Sequence, residues 1–270
     1  MSTSIDARST PAASGKRSRR MIAILDVLSE RGTVGLSDLA ETLAISPATA
    51  RRDLADLADQ RLIVRTHGGA RLIDSRNELP VNLRDTRFSD AKRAIARAVA
   101  DIIPQQRYAV ALSGGSTAAN VARALAQHNE LTIVTNSLTI AQLVTTFPQL
   151  KVVMTGGILR PESLELVGVL AENTFNAINL GTAILGTDGI TAEGGVTTHD
   201  ETEARTNHAM VTHAQRVIVV ADGSKIGRLA LAQVATIEQV NLLVTDSSAD
   251  PAALDEIRAA GVSVLVVEVN

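Results

Sequence analysis

The sequence predicts an α/β protein in two parts: an N-terminal winged helix-turn-helix domain and a larger C-terminal α/β domain. Three observations carry this prediction. The chain has 270 residues, more than one average domain, although a single large α/β domain competes on length alone. Helical periodicity followed by a hairpin pattern fills residues 16–73. Beyond residue 90, short apolar runs alternate with helical patterns, as in folds built on a parallel sheet.

Composition narrows the chemistry. Apolar residues make up 45% of the chain, enough for a sizeable core, yet there is no Trp, one Tyr and three Phe. An aromatic cage or a base-stacking platform for single strands is therefore excluded as an expectation. Without Cys there is no disulfide, thiolate metal site or cysteine nucleophile, and the five His residues fall at 67, 128, 199, 208 and 213 in no ligand spacing. No metal site is predicted. No apolar run approaches the roughly 18 residues that span a bilayer, and residues 1–15 lack a signal-peptide core. The expectation is a cytoplasmic protein, without membrane contact, that begins with a disordered leader over 1–15. The net charge of −3 divides unevenly: residues 1–76 hold 12 Lys+Arg against 9 Asp+Glu (+3), and residues 77–270 hold 14 against 20 (−6). An anionic partner is expected for the first segment.

Within that segment, Met21, Ile24, Leu25 and Leu28 mark an amphipathic helix from the basic cluster Lys16-Arg17-Ser18-Arg19-Arg20 to Arg31, ended by Gly32. Ser37 is the expected cap of a short helix through Leu43. A tight Ala44-Ile45 turn then leads to Ser46-Pro47, a hydroxyl N-cap with proline at the first position. From Ser46 onward Ala50, Leu54 and Leu57 form the buried stripe, which turns Ala48 and Arg52 outward and puts Thr49 and Arg51 on its flanks. A basic surface helix whose arginines pair with Asp53 and Asp56 is the bland reading. The next residues favour another. Leu62–Arg65 and Ala70–Ile73 flank Thr66-His67-Gly68-Gly69 and predict a hairpin, which completes a winged helix-turn-helix. In that setting Ser46, Ala48, Thr49, Arg51 and Arg52 face a DNA major groove, and Arg65, His67 and Arg71 on the wing meet the adjacent backbone.

The string SPATARRDLADLADQRLIVRTHGGARL resembles the DeoR family of bacterial transcription regulators, whose hallmark is an Arg-Arg-Asp-Leu recognition helix followed by an Arg-Thr-x-Gly-Gly-Ala wing. Arg51, Arg52, Asp53 and Leu54, then Arg65, Thr66, Gly68, Gly69 and Ala70, match it position by position. The resemblance implies that Arg51 and Arg52 serve DNA binding.

The polar stretch 74–90, which contains Pro80, is the expected linker to a domain over 91–270. Ser89 is expected to cap a helix with Ile95, Val99, Ile102 and Ile103 on one face. Strands are predicted at Tyr108–Leu112, Leu131–Thr135, Lys151–Met154, Thr182–Leu185, Arg216–Val220, Asn241–Thr245 and Val262–Val267. Ligands of such sheets bind at the C-terminal strand ends. The first is Ser113-Gly114-Gly115-Ser116-Thr117, followed by a predicted helix Ala118–Ala126, a turn suited to an anion: Gly114 and Gly115 for a tight backbone, Ser116 and Thr117 as donors, and a helix N-terminus. It is neither a Walker loop nor a dinucleotide fingerprint, so no cofactor is predicted. Other strand ends supply Asn136 and Ser137, Gly157 with Arg160, Asp188, and Lys225. Arg160 and Lys225 could offset ligand charge, and Asp188 could accept from sugar hydroxyls.

The order of these segments also resembles the DeoR effector domain, which implies a fold similar to ribose-5-phosphate isomerase and a phosphorylated sugar or related effector. Two positions depart from the family pattern: Ser113 stands where the loop usually has Asp, and Asn207 where the later helix usually has Lys. An isomerase-like enzyme with an appended DNA-binding domain is the alternative, in which Asp188 or Glu203 moves a proton with help from Lys225. A DNA-binding domain in the same chain is better explained by a regulator whose pocket alters operator affinity without catalysis. Operator DNA, the small effector and a second copy of the chain, as a dimer or higher homo-oligomer, are the expected partners.

Overall fold

The computed structural model describes residues 11–60, 62–73, 81–84 and 87–269. The chain divides into two compact units between Arg87 and Phe88. Among the described residues no helix is long and apolar enough to cross a membrane.

In the first unit α1 (Pro11–Arg31), α2 (Leu36–Thr42) and α3 (Pro47–Asp59) pack with a sheet of β1 (Thr33–Gly35), β2 (Ile63–Thr66) and β3 (Gly69–Leu72), ordered β1-β3-β2 and antiparallel throughout. The core is Met21, Ile24, Leu25 and Leu28 from α1, Leu39 from α2, Leu54 and Leu57 from α3, with Val34, Ile63 and Ala70 from the sheet. Each predicted helix contributes the apolar positions its periodicity marked. β1 is an addition to the sequence reading: three residues are too few to show alternation. It also moves a cap. Gly35 ends β1 and is itself the N-cap of α2, and Leu36 N–H donates to Gly68 O at 2.6 Å, so Ser37 lies inside the helix instead of capping it. The strands approach closely here: a Cβ on Gly69 would sit 2.1 Å from Val34 O, which explains the second glycine of the wing.

The expected leader and linker are partly helical. Residues 1–10 lie outside the described residues, and α1 begins at Pro11 rather than Lys16. Of the 74–90 segment, α4 (Val81–Arg84) packs on α1 with Leu83 buried in the first unit's core, and Arg87 pairs with Asp26 at 3.0 Å. Residues 74–80 and 85–86 lie outside the described residues.

The second unit is centred on a seven-stranded parallel sheet. Its strands are β4 (Tyr108–Leu112), β5 (Leu131–Thr135), β6 (Lys151–Met154), β9 (Leu180–Gly186), β12 (Ala214–Val220), β14 (Leu242–Asp246) and β15 (Ser263–Val267). They run in the order β15-β14-β12-β9-β4-β5-β6, all seven at or within two residues of the predicted positions. Each strand serves both faces, as alternation requires. Val110 and Leu112 of β4 and Ile218 and Val220 of β12 point to one core with α5 (Ser89–Ile102), α6 (Ser116–Ala124) and α7 (Leu138–Val144). Ala111, Val217 and Val219 point to the other, with α8 (Val169–Asn176), α9 (Glu201–Thr212) and α10 (Pro251–Ala259). The result is a sheet covered by helices on both faces.

Five short strands were not anticipated: the hairpin β7 (Ile158–Arg160) with β8 (Glu165–Val167), and a sheet of β10 (Gly189–Thr191), β11 (Gly195–Thr198) and β13 (Ala232–Ala235). Their Gly- and Thr-rich sequences carry little apolar alternation. Two helix starts also shift. Phe88, left-handed at φ 55°, is the N-cap of α5 and accepts from Lys92 N–H at 3.0 Å, so Ser89 is the first helical residue and not the cap. α6 starts at Ser116, which draws Ser116 and Thr117 into its first turn.

Candidate DNA-binding face and effector crevice

Ser46 caps α3 as its sequence implies, accepting from Thr49 N–H at 3.2 Å while the two hydroxyls lie 2.8 Å apart. Ala50, Leu54 and Leu57 are buried, and Ser46, Ala48, Arg51 and Arg52 are exposed, with Thr49 half-buried between them. The bland pairing of Arg51 and Arg52 with the helix's own aspartates does not occur. Asp53 is turned inward, 1% exposed, and its carboxylate takes a bidentate bond from the Arg20 guanidinium, with Nη2 to Oδ1 at 2.9 Å. Arg17 lies 3.9 Å from Asp53 and pairs with Asp56. The Arg20 guanidinium titrates above its ordinary value, chiefly through its hydrogen bond to Asp53, and stays charged. The basic cluster on α1 thus occupies both carboxylates, and among the described residues Arg51 and Arg52 have no ion pair.

The wing places Arg65, His67 and Arg71 in the open. Thr66 pairs with Gly69, so His67-Gly68 is a two-residue turn. Arg65 lies opposite Ala70 and Arg71 opposite Val64, so the two arginines leave opposite faces of the hairpin.

In the second unit the chain runs from β4 outward through β5 to β6, and later from β9 through β12 and β14 to β15, so the order reverses between β4 and β9. A crevice outside the strand ends is expected at such a point. Here Ser113 Oγ accepts from Gly186 N–H at 2.9 Å and joins the two strand ends. Gly114 donates its N–H to the Glu165 carboxylate of β8, and a Cβ there would lie 2.0 Å from Glu165 Oε1. Gly115, at φ 98°, caps α6 without bringing a side chain to the helix's first turn, and Ser116 and Thr117 behind it are buried. The N-terminus of α6 behind a two-glycine turn has the chemistry to attract an anion, and the Gly114 N–H of that turn is already given to the Glu165 carboxylate.

Around this seat the remaining predicted residues take distinct positions. Asn136, at the end of β5, is buried and its Nδ2 donates to Asn207 Oδ1 on α9 at 3.2 Å. Ser137 caps α7, accepting from Ile140 N–H at 3.4 Å, and bridges to Glu165 through its backbone. Gly157 is left-handed and abuts β8, where a Cβ would be 2.8 Å from Val167 O; its placement is explained by hairpin packing. Arg160 is held 3.2 Å from Glu203 and 3.4 Å from Asp200, and Lys225 lies 3.3 Å from Asp188. Thr198 Oγ1 links the two acidic groups, 3.1 Å from Asp188 and 2.7 Å from Glu203, and its one proton serves one of them at a time. The two cations expected to face a ligand are therefore also engaged by carboxylates. Glu165, Thr198 and Asp200 were missed by the sequence reading: Glu165 and Thr198 sit on short strands without a periodic signal.

A DNA-reading fold and a ligand-crevice fold in one chain define a transcription regulator that carries its own sensor. Residues 20–76 match the DeoR-like helix-turn-helix domain and residues 87–247 the DeoR C terminal sensor domain. Similar proteins include the putative aga operon transcriptional repressor of Escherichia coli O157:H7, 33% identical over 96% of this chain and 98% of that one. Another is the glycerol-3-phosphate regulon repressor of Escherichia coli K12, 34% identical over 86% and 92%. Among solved structures, ribose 5-phosphate isomerase A from Methanocaldococcus jannaschii aligns at 14% identity and a TM-score of 0.38, over 56% of this chain and 57% of that one. The chain belongs to the DeoR family of transcription regulators. It is a DNA-binding regulator rather than an enzyme, as its relatives are named.

Proposed function

We propose that this chain represses its target genes by binding operator DNA through Arg51, Arg52 and the wing, and that a phosphorylated sugar or related metabolite seated at the Gly114–Thr117 turn controls that affinity. The observation that carries the reading is the coincidence of the glycine turn, the α6 N-terminus and the reversal of strand order at β4. Arg51 and Arg52 donate to guanine or to phosphates, Ala48 and Thr49 line the groove, and Arg65, His67 and Arg71 supply backbone contacts. The effector's phosphate takes the α6 N-terminus, and Arg160 and Lys225 exchange part of their carboxylate pairing for it. The glycerol-3-phosphate in one relative's name fits this class of ligand. Residues 16–73 read DNA, 91–270 bind effector and form the homo-oligomer, and the segment between them transmits the change, in a cytoplasmic protein.

Paired half-sites about one helical turn apart are read by a dimer, and an effector that alters the spacing of two recognition helices lowers affinity for both at once. Linkage makes the coupling reciprocal, typically about 1 to 3 kcal/mol. The test has two steps. Sugar phosphates are screened by thermal shift, where a ligand at 100 times its dissociation constant adds about 2.7 kcal/mol. Operator affinity is then measured by fluorescence anisotropy with and without the hit at one salt concentration. Release of the operator is the expected result; equal affinities under saturating ligand refute the coupling.

A further inference from the structure

Past Lys225 the chain makes a short loop, residues 227–231, before β13 begins. The loop is fixed on the β10–β11 hairpin: Gly227 N–H donates to Ile190 O and Ala230 N–H to Thr197 Oγ1, each at 2.9 Å, and Leu229 lies against Gly194. Yet among the described residues Leu231 is the most exposed large apolar side chain, at 80%, and Leu229 stands at 69%. A single exposed leucine is ordinary on a protein surface; two on one fixed loop are a projection already ordered for contact. Beside the loop, between α9 and β13, lies a hollow of about 440 Å³. Its apolar lining comes from Ala204 of α9 and from Ala232, Val234 and Ala235 of β13. His208 of α9 donates its Nδ1–H to Val234 O at 2.8 Å and ties the helix to the strand. Gln233 joins hollow to loop, since it lines the one while its Nε2 donates at 2.9 Å to Gly194 O, next to Leu229. The same face has an acid and a base to spare: Glu201, lining the hollow, and Arg228, on the loop, are exposed and have no ion pair among the described residues.

We propose that this face pairs two copies of the chain about a two-fold axis: Leu229 and Leu231 of each copy enter the α9–β13 hollow of the other, and Arg228 meets the partner's Glu201. The inference rests on the homo-oligomer of the proposed function and adds the surface that forms it. A second copy fits because the face carries both halves of the contact, an apolar projection beside an apolar hollow and a cation beside an anion. Two-fold pairing sets each feature against its complement, which is what an isologous interface requires. A small molecule in the hollow would leave the two leucines in water. The apolar centre with charges at its margin is also the usual build of a protein contact. Residues 201, 204, 205 and 208 share one face of α9, while Glu203 and Asn207 of the same helix turn to Arg160 and Asn136 at the strand ends. The pairing surface and the strand-end groups therefore lie on two faces of one helix.

The experiment uses the full chain in sedimentation velocity over a concentration series. Wild type associates, and the double variant Leu229→Ser with Leu231→Ser, checked for folding by circular dichroism, raises the dissociation constant of one association step at least tenfold. A second measurement exploits the absence of cysteine from the chain. Leu231→Cys and Arg205→Cys, two single changes at exposed positions, are co-expressed as separate copies and treated with a short bismaleimide. Mass spectrometry then finds residue 231 of one copy joined to residue 205 of another. This arm still decides the matter if the leucine variant fails to fold. A folded leucine variant that associates as wild type does, or an associated mixture that yields no 231–205 link, overturns the face and leaves the homo-oligomer to be formed elsewhere. A wild type that stays monomeric at every concentration removes the homo-oligomer itself, and the face with it.

Discussion

Arg51 and Arg52 stand on exposed turns of α3 with no carboxylate partner among the described residues, whereas Arg160 lies between Asp200 and Glu203 and Lys225 lies on Asp188. The contrast is not a difference in the supply of acid, since Asp53 and Asp56 are within the same helix as Arg51 and Arg52. It arises because Arg17 and Arg20 of α1 take both aspartates first. Cations left exposed and unpaired are available to an external polyanion and lose nothing on binding it but hydration and counterions. Cations already paired have to be won from their carboxylates, so an anionic ligand in the crevice rearranges the groups around it. On the proposed reading, one unit meets DNA as it stands, and the other rearranges around its effector.

The contrast can be broken most severely at α3. Replacing Arg51 and Arg52 together by Ala should weaken operator binding by about 2 to 5 kcal/mol, read by anisotropy at fixed salt. An unchanged affinity with an intact fold would place DNA recognition elsewhere. Next in size is Asp53→Ala, which strips a buried acceptor from Arg20. Arg20 is partly exposed and can recover water, so we expect about 1 to 3 kcal/mol of lost stability in the winged helix rather than the full cost of an orphaned buried charge. Chemical denaturation checks this; wild-type stability would mean that the α1–α3 ion pair is ornamental. In the crevice, Gly115→Val forces a β-branched residue to the left-handed φ of 98°, a strain of about 1 to 2 kcal/mol. Phosphate-probe affinity should fall by about tenfold, and calorimetry that finds the wild-type constant would reduce the turn to a connector. The smallest effect belongs to Arg71→Ala on the wing, which should weaken all sequences about equally and lower the salt slope by about one. A change confined to one operator base pair would instead make Arg71 a base reader.

Legibility in the sequence follows the same division. Helices α1, α2 and α3 of the first unit and the seven strands of the central sheet were visible because burial imposes a period, as Ala50-Leu54-Leu57 and Val110-Leu112 show. What escaped was set by partners distant in the chain. Gly35 displaces Ser37 as a cap because its neighbour bonds the wing at Gly68, a contact no local rule contains. Glu165 meets Gly114 across 51 positions, on a strand of three residues too short to announce itself. The residues proposed for the crevice do follow strand ends, but their pairing was not legible: nothing in Arg160 or Lys225 announces Asp200, Glu203 or Asp188. Nor could Asn136 be seen to face Asn207, because strand order, which a sequence does not state, puts β5 and α9 together.

The buried Asp53 also says how this DNA-reading unit can be redesigned. Residues 51 and 52 face outward and residue 53 faces α1, so adjacent letters of one motif answer to different constraints. Grafting new side chains at 48, 51 and 52 therefore leaves the scaffold's own contacts in place, whereas a change at 49 gives up the hydroxyl contact to the Ser46 cap, and a library confined to the first three positions should return folded variants with altered operators. Transplanting the whole helix from another protein is a different matter. Its residue at 53 must find a guanidinium at position 20 of the host, so donor and recipient have to be matched across two helices that a cut-and-paste scheme would treat as independent parts.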